Sequence, residues 1–165
     1  MKTQQIRRRS LIFFKRGHII KVLLVCEILS KLVNLLFCKL EDLGVPNLHF
    51  HKTPDEIEMS LLEQFFLGVM FVPIIETFLF QFLPFTLLTK IPFLKKSHII
   101  ILSALLFAFW HIYSIHYIIY TFIAGAFYMF LYFMRVGKYS FLTIVALHAL
   151  NNATSILLNC IFPNF

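Results

Sequence analysis

The chain has 165 residues, of which 59% are hydrophobic and only 14% are charged. Soluble domains are about 45–50% apolar and about 25% charged. A soluble domain of this size has too little interior to bury so many apolar side chains, so a lipid bilayer is the expected solvent. The net charge is +7, but the basic residues gather in short segments between apolar runs. This distribution is typical of membrane topology and argues against a nucleic-acid-binding surface.

Five apolar runs are candidates for membrane spans, each of which needs about 20 mostly apolar residues. In chain order they cover residues 18–40, 60–88, 98–113, 115–134 and 140–162. Lys21, Glu27 and Lys31 interrupt the first run, so an amphipathic helix on the membrane surface is its alternative. Pro73 and Pro84 predict that the second run tilts or kinks.

The charged residues outside these runs predict the topology. Basic residues precede the first run and follow the second and fourth: Lys2, Arg7, Arg8, Arg9, Lys15, Arg16, Lys90, Lys95, Lys96, Arg135 and Lys138. The segment after the first run is mostly acidic, with Glu41, Asp42, Asp55, Glu56 and Glu58 against Lys52. If all five runs span, every basic segment lies on one face. The positive-inside rule then predicts a cytoplasmic N-terminus and an extracytoplasmic C-terminus in the cell membrane.

These patterns predict an all-α fold, a polytopic transmembrane bundle of about five spans. Residues 1–59 are expected to form a basic segment, the first membrane helix and an acidic extracytoplasmic loop. Residues 60–165 are expected to form a four-helix membrane core. The expected partners are the lipid bilayer and a peptide or protein substrate at the membrane, and nucleic acid is not expected. The sequence leaves the oligomeric state open.

Polar residues inside apolar runs indicate a functional site, since such residues are rare at membrane depth. Glu76 lies within the second run and His111 near the end of the third. His148 and Asn152 are spaced i, i+4 in the fifth, so they share one helix face. For each residue a structural role is the alternative: a protonated Glu between helices, an interfacial His beside Trp110, or hydrogen bonds that hold helices together.

Together, one carboxylate, two imidazoles and an amide are the parts of a hydrolase that activates water. Other protease chemistries find no support in the sequence. There is no H-E-x-x-H zinc motif and no G-x-S motif. The only aspartates, Asp42 and Asp55, lie in the acidic loop and not in a span. The arrangement of Glu, two His and Asn is the one that remains.

The stretch from Phe71 to Leu158 resembles the CPBP intramembrane proteases, which include CAAX prenyl endopeptidases and the bacteriocin-processing or self-immunity proteins of the Abi group. The family's E-E-x-x-x-R motif is similar to Glu76-Thr77-x-x-x-Gln81. Its F-x-x-x-H motif is present from Phe107 to His111, and its H-x-x-x-N motif from His148 to Asn152. Each motif alone is weak, but all three occur in the family's order on successive runs.

The resemblance implies an intramembrane endopeptidase and a role for each matched residue. Glu76 with His111 would activate the attacking water, and His148 with Asn152 would stabilise the oxyanion. The family is often labelled metalloprotease, and a site of Glu76, His111 and His148 would suit zinc or another divalent metal. The resemblance leaves open whether any metal is used.

The sequence departs from the family motif at two positions that would lie behind the catalytic residues. Thr77 replaces the second Glu and Gln81 replaces the Arg, so both charges of an i, i+4 ion pair are lost together. A neutral pair able to hydrogen-bond is expected in their place, and the support of Glu76 is expected to be weaker. A non-catalytic immunity or interaction protein is therefore the alternative function, and a small transporter or channel subunit is a more distant one.

Overall fold

A computed structural model describes residues 16–50, 59–134 and 139–161 of the protein. Within these residues the fold is helical, with one isolated β-bridge and no strand. The five helices are α1 (Arg16–Asp42), α2 (Leu61–Leu88), α3 (Lys96–Trp110), α4 (Ile115–Phe133) and α5 (Ser140–Ile161). The predicted all-α class is confirmed. Many charged residues behind the predicted topology lie outside the described residues: Lys2, Arg7, Arg8, Arg9, Lys15, Lys52, Asp55, Glu56, Glu58, Arg135 and Lys138.

Three of these helices, α2, α4 and α5, are long and apolar enough to cross a membrane. Helix α3 is apolar but has only 15 residues. At about 1.5 Å per residue it is shorter than a hydrocarbon core of about 30 Å. Most of the surface of the long helices is apolar and faces outward, as expected in a bilayer. The protein is therefore a membrane protein, and the full count of five spans stays a prediction.

Helix α2 contains two π-helical turns, one shortly before each of its prolines. They cover Phe66–Phe71 and Phe78–Phe82, and each ends two residues before a proline, Pro73 or Pro84. A proline within a helix has no N–H to donate and its ring crowds the preceding turn. A wider π turn relieves that crowding while the helix continues. Glu76 lies between the two π turns.

The charges within α1 are accommodated by other polar groups. Lys31 Nζ lies 3.5 Å from Glu27 Oε1. It also donates to the backbone oxygen of Asn151 at 3.1 Å and to Ser155 Oγ at 2.6 Å, both in α5. Thr154 donates a further hydrogen bond to Glu27. Two of the three residues that interrupt the first apolar run, Glu27 and Lys31, therefore attach α1 to α5.

Helices α3 and α4 approach closely at a glycine. A Cβ atom at Gly125 of α4 would lie 2.9 Å from Phe107 Cδ1 and 3.0 Å from Phe107 Cβ. Only a residue without a side chain fits against this ring. Helix α3 ends at Trp110 and not at Tyr113 as the apolar run predicted, so His111 lies in the turn that leads to α4. His111 leaves the helical conformation, with φ −113° and ψ 50°. Hydrogen bonds from Phe50 to Tyr113 and from Ile115 to Leu48 hold the stretch that follows as a turn.

Candidate active site

The structure brings three of the four predicted catalytic residues into contact. Glu76 Oε1 lies 3.3 Å from His111 Nε2, and Glu76 Oε2 lies 3.4 Å from His148 Nε2. The three residues are 5%, 9% and 4% exposed, so the cluster is buried. They come from the middle of α2, the α3–α4 turn and α5. A carboxylate thus lies between two imidazoles in the interior of the bundle.

The two imidazoles differ in their other ring nitrogen. His111 Nδ1 lies 2.7 Å from the carbonyl oxygen of Phe107, which can only accept, so Nδ1 carries a hydrogen. In neutral His111 the Nε2 atom therefore carries a lone pair, which can accept a proton. His148 Nδ1 is buried and has no hydrogen-bond partner among the described residues. Neutral His148 is thus free to keep its proton on Nε2, facing Glu76.

Aromatic rings hold the two imidazoles in place. The ring of Phe107 lies 4.5 Å from that of His111 and 5.7 Å from that of His148, between centroids. The ring of Tyr128 in α4 lies 5.2 Å from that of His148. The sequence motif included Phe107 but gave no sign of Tyr128 or Gly125. Tyr128 packs against the ring of His148, and Gly125 leaves room for the ring of Phe107. A small residue within an apolar run was the only available signal for Gly125.

Tyr113 is a further neighbour of the site that the sequence did not indicate. It lies in the α3–α4 turn, and its ring centroid is 6.3 Å from that of His111. Burial raises the pKa of the Tyr113 hydroxyl, and the negative charge of Glu76 raises it further. The hydroxyl therefore stays protonated at neutral pH and is able to donate a hydrogen bond.

Asn152 makes a different contact from the other three predicted residues. Its Nδ2 donates to the backbone oxygen of Gly68 in the first π turn of α2, at 2.8 Å. No hydrogen bond among the described residues joins it to Glu76 or to either histidine. This hydrogen bond attaches α5 to α2 one turn beyond His148. The oxyanion role that the resemblance implies for Asn152 stays a prediction.

Thr77 and Gln81 are both fully buried beside Glu76 on α2. Neither Thr77 Oγ1 nor either amide atom of Gln81 has a hydrogen-bond partner among the described residues. The hydrogen bond expected between them is therefore not formed. The pair is electrically neutral, so it leaves no unpaired charge in the bundle.

The described residues contain no group of three or more His, Cys, Asp or Glu side chains that could hold a metal ion. The trio of Glu76, His111 and His148 therefore does not form a ready metal site as it stands. The two carboxylate oxygens lie 3.3 and 3.4 Å from imidazole nitrogens, and Glu76 Oε2 has no hydrogen-bond partner among the described residues. A carboxylate and two imidazoles can nevertheless accept and donate protons.

Comparison with known families supports the resemblance. The family model described as "Type II CAAX prenyl endopeptidase Rce1-like" matches residues 58–154, which is more than half of the chain and includes all four predicted catalytic residues. No curated protein and no solved structure gives a significant match. The match begins shortly before α2 and ends within α5, so α1 and the segment that follows it lie outside the family's own region. The chain belongs to the Rce1-like family of type II CAAX prenyl endopeptidases, a family of membrane proteases, as the CPBP motifs predicted.

Proposed function

We propose that the protein is an intramembrane endopeptidase that uses Glu76, His111 and His148 to hydrolyse a peptide bond of a membrane-associated substrate. One observation carries the proposal: each oxygen of the Glu76 carboxylate faces one imidazole nitrogen, at 3.3 and 3.4 Å. These residues lie far apart in sequence, on separate elements of a membrane bundle. Ionisable groups that meet at membrane depth favour a functional role over a structural one.

The proposed reaction needs only a water molecule and the substrate. Glu76 takes a proton from the water as its oxygen attacks the scissile carbonyl carbon, and the carbonyl oxygen becomes an oxyanion. His148 Nε2–H donates to that oxyanion. The tetrahedral intermediate then breaks its C–N bond, and the proton held by Glu76 and His111 moves to the leaving amine nitrogen. His111 suits this transfer because its Nδ1 hydrogen is occupied by the Phe107 carbonyl, which leaves Nε2 to exchange the proton.

The proposed substrate is a prenylated C-terminal peptide of the CAAX type. The support is the name of the matched family, whose members are described as CAAX prenyl endopeptidases. A leader peptide of a bacteriocin is the substrate that the Abi group would suggest. Both substrates are peptides, so one cleavage assay can be run on each of them. The substrate that is cleaved distinguishes the two possibilities.

The experiment is cleavage by the purified protein in liposomes, with a farnesylated CAAX peptide and an unprenylated leader-type peptide as substrates and mass spectrometry of the products. We expect Glu76→Gln to reduce the cleavage rate by about 10²–10⁴-fold, because a neutral amide cannot accept the proton from water. We expect His148→Ala to have an effect of similar size, since it removes the donor to the oxyanion.

A matched control is available on the same helix. Glu63 caps the exposed start of α2, where it accepts a hydrogen bond from the backbone N–H of Ser60 at 2.8 Å. Gln serves equally well at this position of a capping box, so Glu63→Gln should cleave at the wild-type rate. Wild-type cleavage by a correctly inserted Glu76→Gln variant would refute the proposal.

A second candidate function is a membrane immunity or interaction protein that keeps the fold without catalysis. The observation that favours it is the neutral, unpaired Thr77 and Gln81 where the family has a charged pair. If the protein acts in this way, Glu76→Gln should leave an immunity phenotype intact in cells, whereas a bulky substitution at Gly125 should destroy it. Loss of the phenotype in both variants would favour the enzymatic function over the non-catalytic one.

We also propose that the protein lies in the cell membrane with its N-terminus in the cytoplasm and its C-terminus outside. Residue Phe50 donates its backbone N–H to the oxygen of Tyr113 at 2.7 Å. The segment after α1 and the α3–α4 turn therefore lie at the same end of the bundle, in agreement with five spans. The basic segment between α2 and α3 would then face the cytoplasm.

A further inference from the structure

The segment that follows α1 is in direct contact with the turn that carries His111. Residues 45–50 lie outside the family match, which begins at residue 58. Leu48 and Phe50 flank an isolated antiparallel bridge between His49 and Ser114. Phe50 N–H donates to the oxygen of Tyr113 at 2.7 Å, and Ile115 N–H donates to the oxygen of Leu48 at 3.1 Å.

This segment supplies two of the three hydrogen bonds that cap the start of α4. The first N–H groups of a helix have no acceptor within the helix. At α4 the N–H of Ile115 is bound by Leu48, as above, and the N–H of Tyr117 by Ser114 Oγ at 3.2 Å. The N–H of His116, between them, donates to Asn47 Oδ1 at 3.2 Å. Without residues 47 and 48, two backbone donors next to the active-site turn would lose their acceptors.

Glu41, at the end of α1, completes the arrangement. Its Oε1 accepts hydrogen bonds from Asn47 Nδ2 at 2.6 Å and from His116 Nδ1 at 2.7 Å. The ring of His116 also stacks on that of Phe37 in α1, with centroids 5.1 Å apart. Glu41, Asn47 and His116 therefore form a closed set of three hydrogen bonds. We refer to Glu41, Asn47 and Leu48 as the α4 clamp.

We propose that the α4 clamp is a positioning device for the active site, with Asn47 as its central residue. The proposal rests on the proposed function of His111. His111 lies four residues before Ile115, in a turn whose far end the clamp holds. Fixing the start of α4 fixes the direction in which the turn leaves α3, and with it the position of His111 Nε2 against Glu76.

The test uses the full-length protein in lipid nanodiscs and measures two quantities. One is the kinetics of cleavage of the farnesylated reporter peptide. The other is amide hydrogen exchange of the peptide segment that contains Ile115 and His116. For Asn47→Ala we expect faster exchange there and a kcat lowered by roughly 10–100-fold with little change in KM, because a misplaced catalytic group impairs the chemical step more than substrate binding.

A double substitution separates positioning from general damage. In Glu41→Gln combined with Asn47→Asp, the donor and the acceptor exchange places. The Gln amide nitrogen donates to the Asp carboxylate and to His116 Nδ1, whose proton then lies on Nε2, and the Asp carboxylate also accepts from His116 N–H. We expect this pair to restore slow exchange and most of kcat. Asp42→Asn is the control, since the Asp42 side chain is exposed and, among the described residues, pairs only with Lys39, at 2.8 Å. It removes the same charge one residue away and should match wild type in both measurements.

Each outcome decides the proposal. Slow exchange in Asn47→Ala would refute the clamp itself, and fast exchange with wild-type kcat would refute its role in positioning. If Asn47→Ala does not insert, Glu41→Ala removes one side of the clamp and is judged by the same two measurements. If Glu76→Gln is as active as wild type, the proposed function fails instead, and the exchange data still report on the clamp.

Discussion

The contact between Gly125 and Phe107 makes a quantitative prediction for Gly125→Ala. The added Cβ would lie 2.9 Å and 3.0 Å from two carbon atoms of Phe107. Carbon atoms in van der Waals contact prefer about 3.5–4.0 Å, so Phe107 or α4 must move by about 0.5–1 Å. Overpacking of this kind costs about 1–3 kcal/mol, and the better helix propensity of Ala returns up to about 1 kcal/mol. We expect a net loss of about 1–2 kcal/mol in the free energy of unfolding.

Activity should fall further than stability, because Phe107 contacts both active-site histidines. Its ring centroid lies 4.5 Å from that of His111 and 5.7 Å from that of His148. A shift of about 1 Å in this ring displaces both imidazoles from Glu76, and misplacement on this scale lowers rates by up to about 10²-fold. Unfolding in mixed micelles of SDS and a mild detergent measures the stability, and the liposome assay measures the rate.

Gly68→Ala is the matched control for this prediction. A Cβ at Gly68 in α2 would meet only Ile156 Cδ1, at an ordinary 3.6 Å. The substitution also leaves the backbone oxygen that accepts from Asn152. This variant should be as stable as wild type or slightly more stable, with normal activity. If Gly125→Ala behaves in the same way, the argument that the glycine positions Phe107 is wrong.

Two further predictions concern α5 and the topology. Asn152→Ala removes the hydrogen bond to the α2 backbone and should lower the free energy of unfolding by about 1 kcal/mol; an additional fall in kcat of about 10²–10³-fold would confirm the oxyanion role. In a cysteine-free background, Val45→Cys should react with a membrane-impermeant maleimide added outside intact cells. Phe93→Cys, in the segment between α2 and α3, should react only after the cells are opened, and the reverse pattern would contradict the predicted orientation.

The sequence predicted the helices well because their signal is local. Apolar length alone placed the second and fifth runs at residues 60–88 and 140–162, against Leu61–Leu88 and Ser140–Ile161 in the structure. The error at the end of α3 has a long-range cause, which local sequence does not reveal. Ile112 and Tyr113 are apolar enough to extend the run, whereas hydrogen bonds from a segment more than 60 residues earlier hold this stretch as a turn.

The sequence drew attention to candidate site residues only where a polar group in an apolar run or a motif marked them, and their catalytic roles stay predictions. Glu76, His111 and His148 were each conspicuous as polar groups in apolar runs, and their order suggested that they meet. The contacts that position them link residues far apart in sequence, such as Asn47 with His116 or Gly125 with Phe107, and helical spacing carries no information about such pairs.

The neutral pair beside Glu76 changes how the carboxylate is held. Where the family motif has a charged pair, this protein has Thr77 and Gln81, whose side chains make no hydrogen bond to any described residue. They cannot orient Glu76 through a charge, so its direction depends on the two histidines and on the backbone of α2. That backbone contains a π turn on either side of Glu76, each followed by a proline. The π turns and the fixed imidazoles are therefore expected to take over the positioning that an ion pair provides elsewhere in the family.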